Sequence, residues 1–412
     1  MQSENPVDLM DPSVQKCPYD AYARLRQEAP VYHMPSTGHY VVTRYEDLRE
    51  VLRQPNVFSN HMPLQERRPG GPNPDVVAIY ENEGWQQTTT LQRTDPPEHH
   101  RYRQYIDRTF TVSRVRKMTP YIEGIINDLI DGFIDKGTVE FVSEFAVPLP
   151  TLVIADQFGV PREEAPKLKF WSDAAMEALG LMIEPARELE CARIAIEAQH
   201  YFANQFEDRR ENPRDDMISD LVAPPPDGSE PMSMQELLDM MSQLLNGGFQ
   251  TTTAALGLGW KLLLEHPEQM SQLREKPELI PNFVEEVLRL ETPVQALFRK
   301  VTEDTRLGGV DIPKGAEVIL LYGSANRDEE KFDDVERFDV CRKNAGAHLA
   351  FGAGTHFCPG AMLARQEMIS TFTIMLDRMD DIQFAPEQDD FDFPPSLVHR
   401  NLRTLHISFT PR

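Results

Sequence analysis

Phe351-Gly352-Ala353-Gly354-Thr355-His356-Phe357-Cys358-Pro359-Gly360 sets one cysteine in a glycine-shaped loop, just before the helix-forming run Ala361 to Met379. Gly352 and Gly354 permit a tight turn with positive φ, and Gly360 lets a planar group approach the backbone. Cys358 stands at the start of the next helix, where the positive end of the dipole favours a thiolate. Such a loop presents a single thiolate to something flat and close, haem iron above all, and a thiolate ligand pushes electron density onto that iron. The plain alternative is a buried structural cysteine in a Gly-rich turn, and the rest of the chain argues against it.

The 412 residues are 40% hydrophobic and 26% charged, ordinary values for a globular protein. Length alone would allow two or three domains. No linker supports a split, because the Pro-rich stretches Pro69 to Pro74 and Ala223 to Pro231 are short and flanked by helical patterns. One domain over 1–412 is expected. The net charge of −24 argues against nucleic acid and anionic membranes as partners. No apolar run reaches the ~18 residues of a membrane span. Met1 to Val14 is polar and acidic, without a signal-peptide core. A cytoplasmic protein with no membrane anchor is expected. Cys17, Cys191, Cys341 and Cys358 show neither zinc-site spacing nor a disulfide framework.

Pro18 to Glu28 reads as an amphipathic helix with Tyr22 and Leu25 on one face. Val31 to Met34 and His39 to Thr43 alternate around Gly38 as a hairpin would. Tyr45 to Leu52 is helical again, and helical periodicity dominates from Glu98 to about Glu211, with an irregular break at Leu179 to Glu188. Met234 to Glu265 is a long helix with a soft centre, and Phe283 to Leu290 a short one. Arg306 to Leu321 and Asp381 to Thr410 carry strand signals. The sum is mainly α with a smaller β region.

The cysteine loop resembles that of the cytochromes P450, the haem-thiolate monooxygenases, whose pattern is Phe, two residues, Gly, three residues, Cys, one residue, Gly. Phe351, Gly354, Cys358 and Gly360 match it, and so does His356. Average composition would place those four residues so in roughly one chain per thousand of this length. The resemblance spans the whole chain and implies the triangular cytochrome P450 fold. It implies haem b (iron protoporphyrin IX) with Cys358 as axial ligand and Phe351, Gly352 and Gly360 around it. Haem carries two propionates, which need cationic donors. His99 and Arg103, four apart on a helix, resemble the family's propionate clamp, and Arg299 and His356 fall where it places further donors. Glu286 and Arg289 share a helix face, and with Arg337 they resemble a buried Glu-Arg-Arg brace of structural role.

The centre of the long helix, Asn246-Gly247-Gly248-Phe249-Gln250-Thr251-Thr252-Thr253, is rich in poor helix formers. It resembles the family's oxygen groove, in which Thr251 aligns with the threonine that handles oxygen. Gln250 departs from the family's carboxylate, and an amide can hydrogen-bond but cannot cycle a proton. A water chain ordered by Thr251, Thr252 and Gln250 is the expected substitute. Pro359 is a second departure: it removes one backbone donor to the sulfur, although proline also suits the first turn of a helix.

Gln243, Leu244, Asn246 and Gly247 occupy the helix face expected to meet the substrate, with polar groups that serve either substrate or water. Trp85, Leu297 and Val398 resemble other walls, and Leu179 to Ile183 a lid. No flavin, dinucleotide or iron–sulfur motif occurs. The resemblance therefore implies electrons from a ferredoxin and ferredoxin reductase, docking on bases drawn from Arg101, Arg108, Arg114, Arg116, Lys117, Arg342 and Lys343. The expected function is O2-dependent oxidation (hydroxylation, epoxidation or dealkylation) of a small to medium, mainly apolar organic molecule by a monomer. A peroxide-driven peroxygenase and a non-enzymatic haem sensor are the alternatives.

Overall fold

In a computed structural model, which describes residues 7–62, 73–179, 183–225, 228–388 and 391–412, the alternation around Gly38 forms the expected hairpin. Val31–His33 pairs antiparallel with Tyr40–Val42, and Gly38 takes φ 78°. The described residues divide into two compact units.

The first unit comprises Met1–Ser59, Val115–Leu149 and Thr251–Arg412. It holds every strand found among the described residues. Its five-stranded sheet runs in the order Val31–His33, Tyr40–Val42, Glu317–Leu321, Ala296–Val301, Phe58–Ser59. Tyr40–Val42 lies parallel to Glu317–Leu321, and the other pairs are antiparallel. The strand Ala296–Val301 is a finding, because in this part of the chain the sequence signals mark strands only from Arg306 onward. A three-stranded sheet places His406–Pro411 between Thr138–Glu140 and Met379–Phe384. The helix Ala361–Arg378 packs closely on the long helix at Gly259, where a Cβ would lie 2.6 Å from Phe372. Trp260 and Phe283 close around the same ring.

The second unit comprises Asn60–Arg114 and Pro150–Gln250 and is helical. Asn73 caps Pro74–Glu83 by accepting from the Asp75 N–H, with proline at the first helical position. One apolar cluster gathers Leu91, Ile154, Phe158, Trp171, Phe206, Leu244 and Phe249. The helix Met234–Glu265 is unbroken through its glycines and threonines. Its residues to Gln250 belong to this unit and those from Thr251 to the first.

Candidate functional site

The cysteine loop takes its shape from its glycines. Gly352 and Gly354 both have φ 69°, and a Cβ at Gly354 would lie 2.8 Å from the Leu52 carbonyl. The Cys358 N–H donates to the Phe351 carbonyl at 2.9 Å, which closes the loop and leaves the thiol half-buried and free of any disulfide. A Cβ at Gly360 would stand 3.9 Å from Cys358 Sγ. That glycine therefore keeps the space beside the sulfur open.

Two ion clusters lie in the first unit, one half-buried and one fully buried. Arg365 donates from Nε and Nη2 to Glu285 at 2.6 and 2.9 Å, and His348 lies 3.2 Å from the same carboxylate. The Arg365 guanidinium also sits 4.5 Å from the Phe351 ring centre. Burial pushes the Glu285 carboxyl up, but the bonds from Arg365 and His348 win and bring it down to about 2. Sequence reasoning missed this cluster because its members look like scattered surface charges. In the second cluster Arg289 makes two bonds to Glu286, at 2.7 and 2.9 Å, with both side chains fully buried. The third member is Arg342, whose Nε donates to Glu286 at 2.9 Å. The expectation of Arg337 is corrected: its side chain is exposed, and only its carbonyl joins, accepting from Arg342 at 2.8 Å. Buried in this way, Arg342 is also withdrawn from the expected docking face. Arg101 and Arg114 are likewise engaged, with Glu236 and Asp220.

On the long helix the two glycines do different jobs. A Cβ at Gly248 would collide with Ile154 at 2.7 Å, whereas one at Gly247 meets nothing within 4 Å. Gly248 serves close packing and Gly247 faces open space. Thr253 turns away, donating to the Ala146 carbonyl at 2.9 Å, Thr252 is buried, and Thr251 is half-buried. Gln250 Nε2 donates to Asp173 Oδ1 at 3.2 Å. Gln250→Glu would set a second carboxylate against Asp173. A positioned general acid contributes on the order of 100-fold or more, so this variant is expected to raise oxygen-dependent turnover severalfold or change its solvent isotope effect. Rates and coupling indistinguishable from wild type would remove Gln250 from proton handling.

Arg299 lies on Ala296–Val301 and is 6% exposed. Its Nη1 donates to the Phe298 carbonyl at 2.6 Å, and it bonds the Tyr322 side chain. Among the described residues no carboxylate pairs with it. A buried guanidinium without a counter-ion is costly. It therefore suits an anionic group brought by a ligand, as a haem propionate would be. His356 sits in the 3₁₀ turn before Cys358. In the second unit His99 is buried, and burial, then the nearby Arg103, lower its imidazole to about 4. His99 is thus a neutral hydrogen-bonding group rather than the expected cation. Arg103 Nε donates to Asp107 at 2.6 Å. Within the first unit, Arg299 and His356, with one thiol and the space beside it, fit haem.

Two expected polar handles are already engaged. Gln243 bonds Thr90, Gln92 and Asp239, and Asn246 Oδ1 accepts from Ser172 Oγ at 2.7 Å. Sequence periodicity gave their helix face but not the partners opposite them. Leu244 is buried in the apolar cluster with Trp85 packed against it. Leu297 pairs with Leu320 in the five-stranded sheet, and the Val398 carbonyl accepts from the Gln295 N–H at 2.7 Å. Arg400, two residues on, is held by Glu291 at 3.0 Å, and the Tyr19 hydroxyl donates to the same carboxylate. Most of the expected lid, Leu179 to Ile183, falls outside the described residues.

Glu367 lies on the helix after the cysteine, 1% exposed, and neither of its oxygens finds a partner among the described residues. Thr371 Oγ1, one turn on, shares that condition. Burial pushes the Glu367 carboxyl well above its ordinary value. A folded-state value raised above the unfolded one leaves stability intact below the ordinary carboxylate range. Stability is then lost as pH rises toward the folded value, at up to about 1.4 kcal/mol per pH unit. Glu367→Gln removes that decline. Urea midpoints of variant and wild type are expected to converge near about pH 4 and to favour the variant increasingly as pH rises. Parallel pH curves would show that Glu367 ionises normally.

The family model described as cytochrome P450 matches residues 182–402. Among curated relatives, 6-deoxyerythronolide B hydroxylase from Saccharopolyspora erythraea is 33% identical, covering 94% of this chain and 95% of its own. Vitamin D(3) 25-hydroxylase from Pseudonocardia autotrophica is 32% identical, covering 98% and 97%. Among solved structures, cytochrome P450 CYP109Q5 from Chondromyces apiculatus superposes with a TM-score of 0.85 at 34% identity over 99% of both chains. No described helix is long and apolar enough to cross a membrane. A likeness that runs nearly end to end, with a thiol loop built to stand against a flat ligand, leaves one conclusion: the chain belongs to the cytochrome P450 family, haem-thiolate monooxygenases that insert one atom of O2 into an organic substrate.

Proposed function

We propose that this monooxygenase is one domain over 1–412 that binds haem b through Cys358 and oxidises a small to medium, mainly apolar molecule. The observation that carries the reading is the half-buried Cys358 thiol in a loop closed on Phe351, with space beside it kept by Gly360. Bound haem would supply oxygen activation, with the thiolate favouring O–O cleavage. Phe351 and Gly352 shape the loop. Arg299 would supply positive charge to a propionate, joined by Arg103, while His99 and His356 would supply hydrogen bonds. The Thr251 hydroxyl and the Gln250 amide would hold water and pass protons. Leu244, Gly247, Trp85, Leu297 and Val398 would contact substrate and exclude bulk water, whereas Gln243 and Asn246 act from behind that wall. Glu286, Arg289 and Arg342 would hold the chain behind the cysteine loop.

The apolar side chains among these residues, Leu244, Trp85, Leu297 and Val398, support a mainly apolar substrate. So do relatives whose names specify 6-deoxyerythronolide B and vitamin D(3). The chain itself shows no electron-carrier motif, so electrons would come from a ferredoxin and its reductase; we place the protein in the cytoplasm as a monomer. Gln250 in place of an acid favours one second reading, a peroxide-driven peroxygenase. Two measurements test both. A compound library is screened against the ferric protein for displacement of the haem absorption band, and hits are turned over with ferredoxin, reductase and O2 or with hydrogen peroxide alone. Product under the first condition supports the monooxygenase. Product only under the second overturns it in favour of the peroxygenase.

A further inference from the structure

Phe351 opens the cysteine loop, and its carbonyl accepts the Cys358 N–H at 2.9 Å. Its ring is held from two sides by residues of the first unit. The Arg365 guanidinium carbon stands 4.5 Å from the ring centre, and the His348 ring lies 5.8 Å away at 49°. Both holders meet on one carboxylate. Glu285 Oε1 accepts from Arg365 Nε at 2.6 Å and Oε2 from Arg365 Nη2 at 2.9 Å, a two-bond fork that fixes the guanidinium plane. His348 Nδ1 accepts from the Ala350 N–H at 3.1 Å, so the ring proton sits on Nε2, 3.2 Å from Glu285 Oε2.

Stability alone does not account for this fork. The Arg365 and Glu285 side chains are 28% and 18% exposed, and an ion pair in partial contact with water adds little to stability. What it does add is charge of fixed sign at a fixed place. Against the upward push of burial, the bonds from Arg365 and then His348 hold the Glu285 carboxyl at about 2, so the carboxylate stays ionised near neutral pH. The guanidinium is permanently charged and faces Phe351, the residue whose carbonyl closes the loop on Cys358. A cation over an aromatic face is held there by the quadrupole of the ring. The helix Ala361–Arg378, which carries Arg365, begins directly after the loop, so charge and sulfur sit on one continuous stretch of chain.

We propose that Arg365 is a positioning residue for electron entry: oriented by Glu285 and His348, it fixes Phe351 and sets a positive charge beside the cysteine loop that eases reduction of the iron held by Cys358. The proposal rests on the reading of Cys358 as haem ligand. Reduction adds one electron, delivered by an external one-electron donor such as a ferredoxin. It breaks no bond at the loop and leaves the site one unit more negative. A cation nearby lowers the cost of that added charge and an anion raises it, more strongly than either would in bulk water. Arg365 and Glu285 therefore act in opposite senses on the same equilibrium.

The test is a redox titration of the holoprotein with dithionite and mediator dyes, followed by the haem spectrum. In Arg365→Met the equilibrium constant for reduction is expected to fall by about fivefold, and in Glu285→Gln to rise by about as much, each roughly 40 mV on a scale where tenfold is about 59 mV. The double variant is expected to return to within about twofold of wild type, because the two effects offset each other. Arg365→Lys keeps the charge and is expected to lie closer to wild type than Arg365→Met. Amide hydrogen exchange at Cys358 is expected to quicken in Arg365→Met, which loses its hold on Phe351. A purely structural brace would move both single variants in the same direction and the double variant furthest. That pattern, or shifts below about twofold in both single variants, would overturn the proposal while leaving the haem-thiolate reading intact. Should Arg365→Met not take up haem, Arg365→Gln carries the same expectation. A wild-type ferrous–CO spectrum without the thiolate signature would overturn that reading and the proposal with it.

Discussion

Cys358→Ser is expected to lower oxygen-dependent turnover to below about one thousandth of wild type, which corresponds to roughly 4 kcal/mol of lost transition-state stabilisation. Serine is nearly isosteric, and the backbone bond from residue 358 to the Phe351 carbonyl does not involve the side chain. The two left-handed glycines that shape the loop are untouched. The change therefore removes the soft, electron-rich ligand without removing the loop. The urea midpoint of the haem-free protein is expected to move little, while the haem spectrum loses its thiolate signature. A variant that retained full turnover would show that the sulfur is not the ligand on which oxygen chemistry depends.

Glu286→Ala is expected to destabilise the fold by about 3–5 kcal/mol, enough to abolish much of the stability of an ordinary domain. Glu286 lies between two guanidinium groups, Arg289 and Arg342, and accepts three of their bonds at 2.7 to 2.9 Å. Its side chain and that of Arg289 have no exposure. Removing the carboxylate strands two buried cations whose remaining partners are backbone carbonyls, including those of Asn326 and Val335. Burial already pulls the Arg289 guanidinium below its usual range, a sign of how little solvent reaches it. Urea unfolding measures the loss. Arg337→Ala is the control: its side chain is exposed and makes no bond to Glu286 among the described residues, so it should shift the midpoint by no more than about 0.5 kcal/mol. If Arg337→Ala proved as damaging as Glu286→Ala, the assignment of Arg342 as third member would be wrong.

Local signals in the sequence carried far and then stopped at contacts between distant segments. The hairpin at Gly38, the helix over 234–265 and the left-handed Gly352 and Gly354 follow from residue type and spacing, and the structure has them. The swap of Arg337 for Arg342 was not legible. Two arginines five residues apart on an irregular stretch could each reach back to the same carboxylate, and residue type does not say which of them is the buried one, Arg342. Gln243 and Asn246 were placed on the right helix, but their partners lie 153 and 74 residues away. Periodicity identifies a face and is silent about what covers it. The strand Ala296–Val301 was hidden for a related reason. Its pattern of buried and half-buried residues does not alternate cleanly, because both neighbouring strands and apolar residues on each face cover it.

The placement of His406–Pro411 between Thr138–Glu140 and Met379–Phe384 has a consequence for biosynthesis. The Leu405 N–H donates to Glu140 across 265 residues of chain, and the strand after it supplies the hydrogen-bonding edge that Thr138–Glu140 needs. At about 5–20 residues per second, a ribosome spends roughly 13–50 s between making the first strand and making its partner. The helices made in that interval must fold around a strand whose partner does not yet exist, and they leave its open edge as an early target for chaperones.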